Sequence, residues 1–214
     1  MTRVTVIGGS GYAGSHIVEA AAVRGLEVTS MSRGEVAEQI GGVDYVKGSV
    51  TEAADRARAV DGADVVIVAV SPRGDMPGRV RPAIAELAAE AAEAGVRLGV
   101  IGGAGSLLQS EDGDLVMDGP DFADAVKPEA AEMGAVLDDR RSAPESLDWF
   151  LVSPAATFGA WAAGEYRGEY RVGGDVLLTD AEGKSEISGA DFGVAVVDEI
   201  EEPRHHRARF TVAY

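Results

Sequence analysis

The sequence has no cysteine, only three lysines (Lys47, Lys127 and Lys184) and few basic residues of any kind. The absence of cysteine excludes disulfides, thiolate nucleophiles and Cys-ligated zinc or iron–sulfur centres. Lys and Arg together number 19 against 36 Asp and Glu, which gives a formal charge of −17. A chain this acidic lacks the clustered positive charge that binds a phosphate backbone, so we expect no nucleic-acid partner. Such a surface suits a salt-rich environment and equally provides ordinary solubility charge.

Long hydrophobic runs are also missing. The longest strongly apolar run, Val65–Val70, has the length of a strand and is far shorter than a membrane span. The amino terminus passes from Arg3 directly into Val4–Ile7 and then into glycines, a pattern unlike that of a signal peptide. We therefore predict a cytoplasmic protein with no membrane partner.

Short apolar runs alternate with Ala- and Glu-rich stretches along the first 153 residues. The predicted strands are Val4–Ile7, Glu27–Met31, Tyr45–Lys47, Val65–Val70, Arg97–Ile101 and Asp148–Val152. Helices are predicted near residues 12–24, 34–40, 51–60, 79–94 and 123–142. Because strands alternate with helices through short connections, the pattern predicts an α/β Rossmann fold, a doubly wound parallel sheet with helices on both faces.

After residue 153 the pattern changes. Glycines divide the chain into short pieces, followed by a predicted helix over 191–201 and a predicted strand at Ala208–Ala213. No low-complexity linker separates this part from the rest, so we predict a single domain over 1–214, with a core of 1–153 and a substrate-side elaboration of 154–214. Ligands of open α/β sheets bind outside the carboxyl ends of the strands, so the elaboration is interpreted as a short C-terminal substrate lid.

The most informative motif is Gly8-x-x-Gly11-x-x-Gly14, placed between the first predicted strand and the first predicted helix. Gly8 permits the tight turn, Gly11 lets the backbone approach a pyrophosphate, and Gly14 allows close packing of helix on strand. The free N–H groups and the positive dipole end of the helix then face the phosphates. This strand–turn–helix context predicts a dinucleotide site.

The end of the second predicted strand indicates which dinucleotide binds. An NAD site usually has Asp or Glu there for the ribose 2′-hydroxyl, whereas this chain has Ser32 and Arg33. Arginine suits a 2′-phosphate, so the sequence predicts NADP(H) in preference to NAD(H).

Three segments together resemble the atypical short-chain dehydrogenases: the glycine motif, Val100–Leu107, and Ser153–Ala156. The most similar group is the NAD(P)H-binding family of NADH-flavin reductases, biliverdin-IXβ reductases and NmrA-like proteins. Gly164–Asp175 and Ser185–Phe192 resemble the carboxyl-terminal signature of that group, so the resemblance covers nearly the whole chain.

The resemblance implies an oxidoreductase and places residues around its cofactor. The implied contacts come from the glycine motif and from the loops after successive strands: Ser10, Tyr12, Ala13, Ser32, Arg33, Ser49, Val50, Ala69, Val70, Ser71, Gly103 and Pro154. Many relatives have Asp where this chain has Ser49.

Typical short-chain dehydrogenases use a Tyr-x-x-x-Lys pair as proton donor, and this chain has none. That absence disfavours ketone reduction and nucleotide-sugar epimerisation or dehydration. Reduction of a flavin or similar planar acceptor fits better, because the protein then mainly orients the reactants and excludes water. A non-catalytic NADP(H) sensor of the NmrA type stays open as the alternative.

Candidate substrate-side residues are few. Ser106 is the candidate catalytic hydroxyl, Phe158 and Trp161 are candidates for stacking on a flavin-like ring, and Tyr166 is a further pocket candidate. No metal site is expected: His205–His206 and the acidic loop around Asp112 are interpreted as solvated turns. The protein is expected to be a monomer or a homodimer.

Overall fold

The computed structural model describes residues 1–214 and contains one eight-stranded sheet. The strands are β1 (Arg3–Ile7), β2 (Glu27–Ser32), β3 (Val43–Lys47), β4 (Val65–Val68), β5 (Arg97–Ile101), β6 (Trp149–Ser153), β7 (Arg171–Gly173) and β8 (Ala208–Ala213). The helices are α1 (Tyr12–Val23), α2 (Ala53–Val60), α3 (Val80–Ala94), α4 (Lys127–Arg141) and α5 (Gly189–Glu201). The spatial order is β3-β2-β1-β4-β5-β6-β8-β7, and every neighbouring pair is parallel except β7 with β8. The predicted Rossmann-type fold is confirmed.

Two apolar cores lie on opposite faces of the sheet. Trp149 and Leu151 of β6 pack with α3 and α4 in one core, whereas Phe150 and Val152 pack with α1 and α5 in the other. Successive residues of a strand point to opposite faces, so a strand covered on both sides is apolar throughout. This is why the predicted strands appeared as unbroken apolar runs.

The region predicted to be a helix over 34–40 contains none, so that prediction was wrong. Glycines flank the segment, and Gly42 has a φ of +85°. The backbone N–H of Ile40 donates to the Tyr45 hydroxyl at 3.0 Å instead of to a helical carbonyl. A seven-residue helix with no partner to pack against is too short to be stable alone.

The part of the chain after residue 153 contributes to the apolar core as well as to the ligand-binding edge of the sheet. β8 joins the sheet beside β6, and α5 packs against α1 through buried residues such as Phe192 and Val196. Ser188 is the N-cap of α5, and its hydroxyl accepts from the Asp191 N–H at 3.0 Å. Of this part, only residues between Pro154 and Trp161 line a pocket at the carboxyl ends of β5 and β6. No helix has both the length and the apolar character needed to cross a membrane.

Candidate functional site

A groove crosses the carboxyl ends of β1, β4, β5 and β6. In the sheet order, β2 and β3 lie to one side of β1, and β4 to β6 lie to the other. This is the switch point at which open α/β sheets bind ligands. The groove has a small chamber of about 350 Å³ beside β2 and a large chamber of about 560 Å³ beside β5 and β6. They share Gly11, Ala69, Val70, Ser71 and Arg73, so they form one continuous path.

The turn after β1 is built so tightly that two of its glycines have no room for a side chain. Gly8 has a φ of +89°, and a Cβ there would lie 2.4 Å from the Ala69 carbonyl oxygen. A Cβ on Gly14 would lie 2.1 Å from the Gly8 carbonyl oxygen. Gly14 is buried, lines neither chamber and allows α1 to pack on the turn.

The first turn of α1 presents free donors to the groove. Gly11 is the N-cap, no side chain caps the helix, and the first helical hydrogen bond runs from Ser15 N to Gly11 O at 2.8 Å. The N–H groups of Tyr12 and Ala13 have no protein acceptor. A helix start with unpaired N–H groups and a positive dipole end fits a pyrophosphate.

Residues from the ends of β2 and β3 meet in the small chamber. Ser32 lines it and donates to the Gly34 carbonyl at 2.8 Å, and the exposed Arg33 beside it pairs with Asp75. The Ser49 hydroxyl bonds to that of Thr51 at 2.8 Å, and Val50 is buried beneath. Ser10 lies in the exposed turn at the same chamber.

The large chamber is mainly apolar. The Tyr12 ring lies edge-on to Phe158, with 5.2 Å between ring centroids, and Trp161 is 74 % exposed at the rim. Gly103 and Pro154 also line it, and a Cβ on Gly103 would meet no protein atom within 4 Å. Burial raises the pKa of the Tyr12 hydroxyl, which donates to the Ala163 carbonyl at 3.1 Å. Tyr12 thereby fixes the 158–163 segment to α1.

Ser106 lines the large chamber and is held by a buried cation from β8. Arg209 Nη1 donates to the Ser106 carbonyl oxygen at 2.8 Å and to Ser106 Oγ at 3.1 Å. Asp175 accepts from Arg209 Nε at 2.6 Å and also pairs with Arg141 of α4. Burial lowers the pKa of the Arg209 guanidinium, and the Asp175 charge opposes that shift.

The sequence analysis missed the contribution of α4 and of the loop after β4. Arg73 lines both chambers, and its Nε donates to Glu129 at the start of α4 at 2.6 Å. Phe122 and Met133 complete the apolar wall. The position of Arg73, two residues after the Ser71 implied to contact the cofactor, was the only available signal.

Two predicted features lie away from the groove. Tyr166 is 64 % exposed and lines neither chamber. His205 was interpreted as part of a solvated turn, which is wrong: its ring stacks on Phe210, with 4.1 Å between centroids, and its Nδ1 bonds to the buried Glu199 at 2.6 Å. His206 is exposed beside Asp148, as expected.

A further cavity of about 490 Å³ lies beside α5 and is polar. Its charged groups pair with one another: Arg24 with Asp198 and Glu201, and Arg204 with Glu202. Tyr170 donates to Asp198, and burial raises the pKa of Tyr170. The arginines of this cavity are thus already paired with carboxylates.

Comparisons with known proteins agree with the geometry of the groove. The model of a family described as NAD(P)H-binding matches residues 8–203. Protein YwnB of Bacillus subtilis is 36 % identical over 220 residues, which cover 98 % of this chain and 97 % of YwnB.

Two solved structures have the same fold over the full length. One, from Streptococcus pneumoniae, is of a protein proposed to be an NADH-flavin reductase; it is 32 % identical with a TM-score of 0.84, over 100 % of this chain and 99 % of that chain. The other, from Bacteroides thetaiotaomicron, is of a protein proposed to be an epimerase. It is 30 % identical with a TM-score of 0.88, over 100 % of this chain and 97 % of that chain.

The tight turn, the uncapped helix start and the continuous groove all fit a nicotinamide dinucleotide. The resemblance to the atypical short-chain dehydrogenases is confirmed, and the chain belongs to the NAD(P)H-binding family.

Proposed function

We propose that the protein is an NADPH-dependent oxidoreductase that reduces a planar, largely apolar acceptor of the flavin or quinone type. The observation that carries the proposal is the large chamber, which opens directly from the small chamber and has apolar and aromatic walls. The only charged residues lining it are Arg73 and Glu129, and these two pair with each other. Such a wall suits an uncharged ring system better than a sugar or a hydroxy acid.

In this proposal the small chamber holds the adenosine half of the cofactor. Arg33 faces the 2′-phosphate, Ser32, Ser49 and Val50 lie beside the adenosine, and the start of α1 faces the pyrophosphate. The cofactor, when bound, supplies a hydride. Gly103, Ser106 and Pro154 then border the nicotinamide end of the groove.

The protein's own contribution is orientation and exclusion of water. Phe158, Trp161 and Tyr12 offer aromatic surface for stacking, and Ser106 offers a hydroxyl at the chamber wall. No Tyr-x-x-x-Lys pair is present, which favours an acceptor whose reduction can take its proton from water.

The test is the oxidation of NADPH by the purified protein with riboflavin, FMN or a soluble quinone. We expect steady turnover with at least one of them. Tight NADPH binding without turnover would refute the oxidoreductase proposal and favour the NADP(H)-sensing alternative. Failure with these acceptors combined with turnover on a nucleotide sugar would favour an epimerase.

Trp161→Ala checks the acceptor chamber separately. Loss of a stacking partner at the rim should raise the acceptor KM by up to about tenfold, as the loss of ~1.4 kcal/mol of aromatic contact would. The affinity for NADPH should not change. Val23→Ala is the matched control, because Val23 is an exposed apolar residue on the outer side of α1 that lines neither chamber. Equal effects of the two changes would remove Trp161 from the acceptor site.

A further inference from the structure

The charged residues that line the small chamber are positive, although the chain as a whole is strongly acidic. Only two charged residues line it, and both are arginines, Arg33 and Arg73. No carboxylate lines this chamber, although the chain carries 36 Asp and Glu. Each arginine is nevertheless already paired with a carboxylate that reaches in from outside, Asp75 and Glu129 respectively.

The pairing of Arg33 is one-sided. Arg33 Nη1 donates to Asp75 Oδ1 at 2.8 Å and to Oδ2 at 2.7 Å, while Nε and Nη2 have no protein acceptor. Both side chains are more than half exposed, 54 % and 62 %. The Arg33 guanidinium therefore keeps free N–H donors, but the negative charge of Asp75 lies in direct contact with it.

Asp75 is a charged group at neutral pH. The hydrogen bond from Arg33 lowers the pKa of Asp75 below its ordinary value, and the nearby Arg79 acts in the same direction. Asp75 lies in the loop between β4 and α3, which is separate from the strand end that carries Arg33. Arg33 is the one side chain to which this carboxylate bonds.

A carboxylate at this place affects the two cofactors differently. A 2′-phosphate would have to compete with the Asp75 carboxylate for the Arg33 guanidinium. A ribose 2′-hydroxyl is neutral and can donate to a carboxylate, so it meets no such penalty.

We propose that Asp75 is a specificity-determining residue that weakens the preference of this site for NADPH over NADH. The proposal rests on the proposed assignment of the small chamber to the adenosine half of the cofactor. In the free protein, Asp75 pairs with the arginine proposed to bind the 2′-phosphate. This pairing reduces the difference in affinity between NADPH and NADH. Arg33 supplies the attraction for phosphate, and Asp75 opposes it.

The test is equilibrium titration of wild-type protein, Asp75→Asn and Arg33→Ala with NADPH and with NADH. Asparagine has the size of Asp75 and can still accept a hydrogen bond, but it removes the charge. Asp75→Asn should lower the Kd for NADPH by about fivefold, the upper range for an exposed ion pair, and change the Kd for NADH by less than twofold. Arg33→Ala should raise the Kd for NADPH far more than that for NADH.

The double variant Arg33→Ala/Asp75→Asn tests whether the effect runs through Arg33. In the Arg33→Ala background, Asp75→Asn should no longer strengthen NADPH binding more than twofold. Asp139→Asn is the matched control, because Asp139 pairs with Arg81 through two 2.8 Å contacts on a surface outside the groove. That variant should leave both dissociation constants unchanged.

The proposal would be overturned if the ratio of NADPH to NADH affinity in Asp75→Asn stayed within twofold of the wild-type ratio. It would also be overturned if Asp75→Asn still strengthened NADPH binding by more than twofold in the Arg33→Ala background. Binding of neither cofactor would overturn the proposed function together with this inference. Cofactor binding without reduction of any acceptor would overturn only the proposed reaction, because the titrations do not depend on turnover.

Discussion

At the scale of single residues, the site depends on a buried arginine that no local pattern reveals. The side chain of Arg209 is 3 % exposed and joins three separate parts of the chain: its own strand β8, the Ser106 turn after β5, and Asp175. Buried charges are tolerated only when they are paired and hydrogen-bonded. Arg209 therefore fixes the position of the Ser106 turn at the wall of the large chamber.

Arg209→Met should destabilise the protein by about 2 kcal/mol, because two hydrogen bonds from a charged donor to the Ser106 turn are lost. The free energy of unfolding from urea titration measures this. Arg141→Met is the control, since Arg141 binds the same Asp175 from an exposed position and should cost less than about 1 kcal/mol. Equal losses would mean that Arg209 acts only through Asp175.

Asp191 is a second buried charged residue that holds a loop in place, here in the carboxyl-terminal part of the chain. Its side chain is fully buried and accepts from Tyr214 at 2.5 Å, Ser188 at 2.8 Å, and the backbone N–H groups of Arg167 at 2.8 Å and Gly168 at 2.9 Å. Burial raises the pKa of Asp191, but these hydrogen bonds outweigh it and the net pKa lies below the ordinary value. The carboxylate form thus holds the 164–170 loop to α5.

A carboxyl group whose pKa is lower in the folded than in the unfolded protein stabilises the fold at pH values above its unfolded-state pKa. This stabilisation is lost as the pH falls through the folded-state pKa. Wild-type protein should therefore lose stability as the pH falls below about 5, and Asp191→Asn should have a flatter profile with a lower plateau at neutral pH. Urea titrations across this range measure both profiles. Asp112→Asn, on an exposed loop, is the control and should follow the wild type. Parallel profiles for wild type and Asp191→Asn would contradict the assignment.

At the scale of elements, the contact of α1 with α5 is set by glycine. A Cβ on Gly193 of α5 would lie 2.4 Å from the His16 carbonyl oxygen of α1, so the two backbones approach too closely for any side chain. The start of α1 is the proposed phosphate site, which makes the position of α5 relevant to binding as well as to packing.

Gly193→Ala should lower the free energy of unfolding by about 2 kcal/mol, because an inserted methyl group must push the two helices apart. Gly134→Ala in α4 is the matched control. A Cβ there would meet only Ser106 Cβ at 3.6 Å, an ordinary contact, and alanine favours the helix by about 0.5–1 kcal/mol. Thermal and urea unfolding compare the two variants. A Gly193→Ala protein as stable as the Gly134→Ala protein would show that the helices separate at little cost.

At the scale of the whole molecule, the charge of −17 opposes compactness. Many of the ion pairs are exposed on both sides, and exposed pairs contribute little to stability. The excess of carboxylates leaves a net self-repulsion that salt screens.

The melting temperature should rise with salt, by about 2–4 °C between about 0.02 and 0.2 M, the shift that ~1 kcal/mol gives at this chain length. Scanning calorimetry in NaCl and in KCl at equal ionic strength checks this. The two salts should agree if screening is the cause. A fall in melting temperature with added salt would mean that the ion pairs outweigh the repulsion.

Much of the fold was predictable because its signals are local. Ile84, Leu87, Ala88 and Ala91 form one apolar stripe at helical spacing, and all four are buried on α3. Gly95, which directly follows that helix, has the left-handed φ of +68°. The 34–40 segment was mispredicted because its composition suits a helix, whereas the tertiary bond to Tyr45 decided otherwise.

The strand–helix alternation, the glycine turn and the family could be predicted from the sequence alone, because each depends on residues within a few positions of one another. Which distant side chains meet at the groove could be seen only in the folded structure. Arg33 and Asp75 are 42 residues apart, Arg73 and Glu129 are 56 apart, and Ser106 and Arg209 are 103 apart. These pairs meet because the order of strands and helices in the fold brings distant segments of the chain together. A periodicity of two or 3.6 residues carries no information about that order.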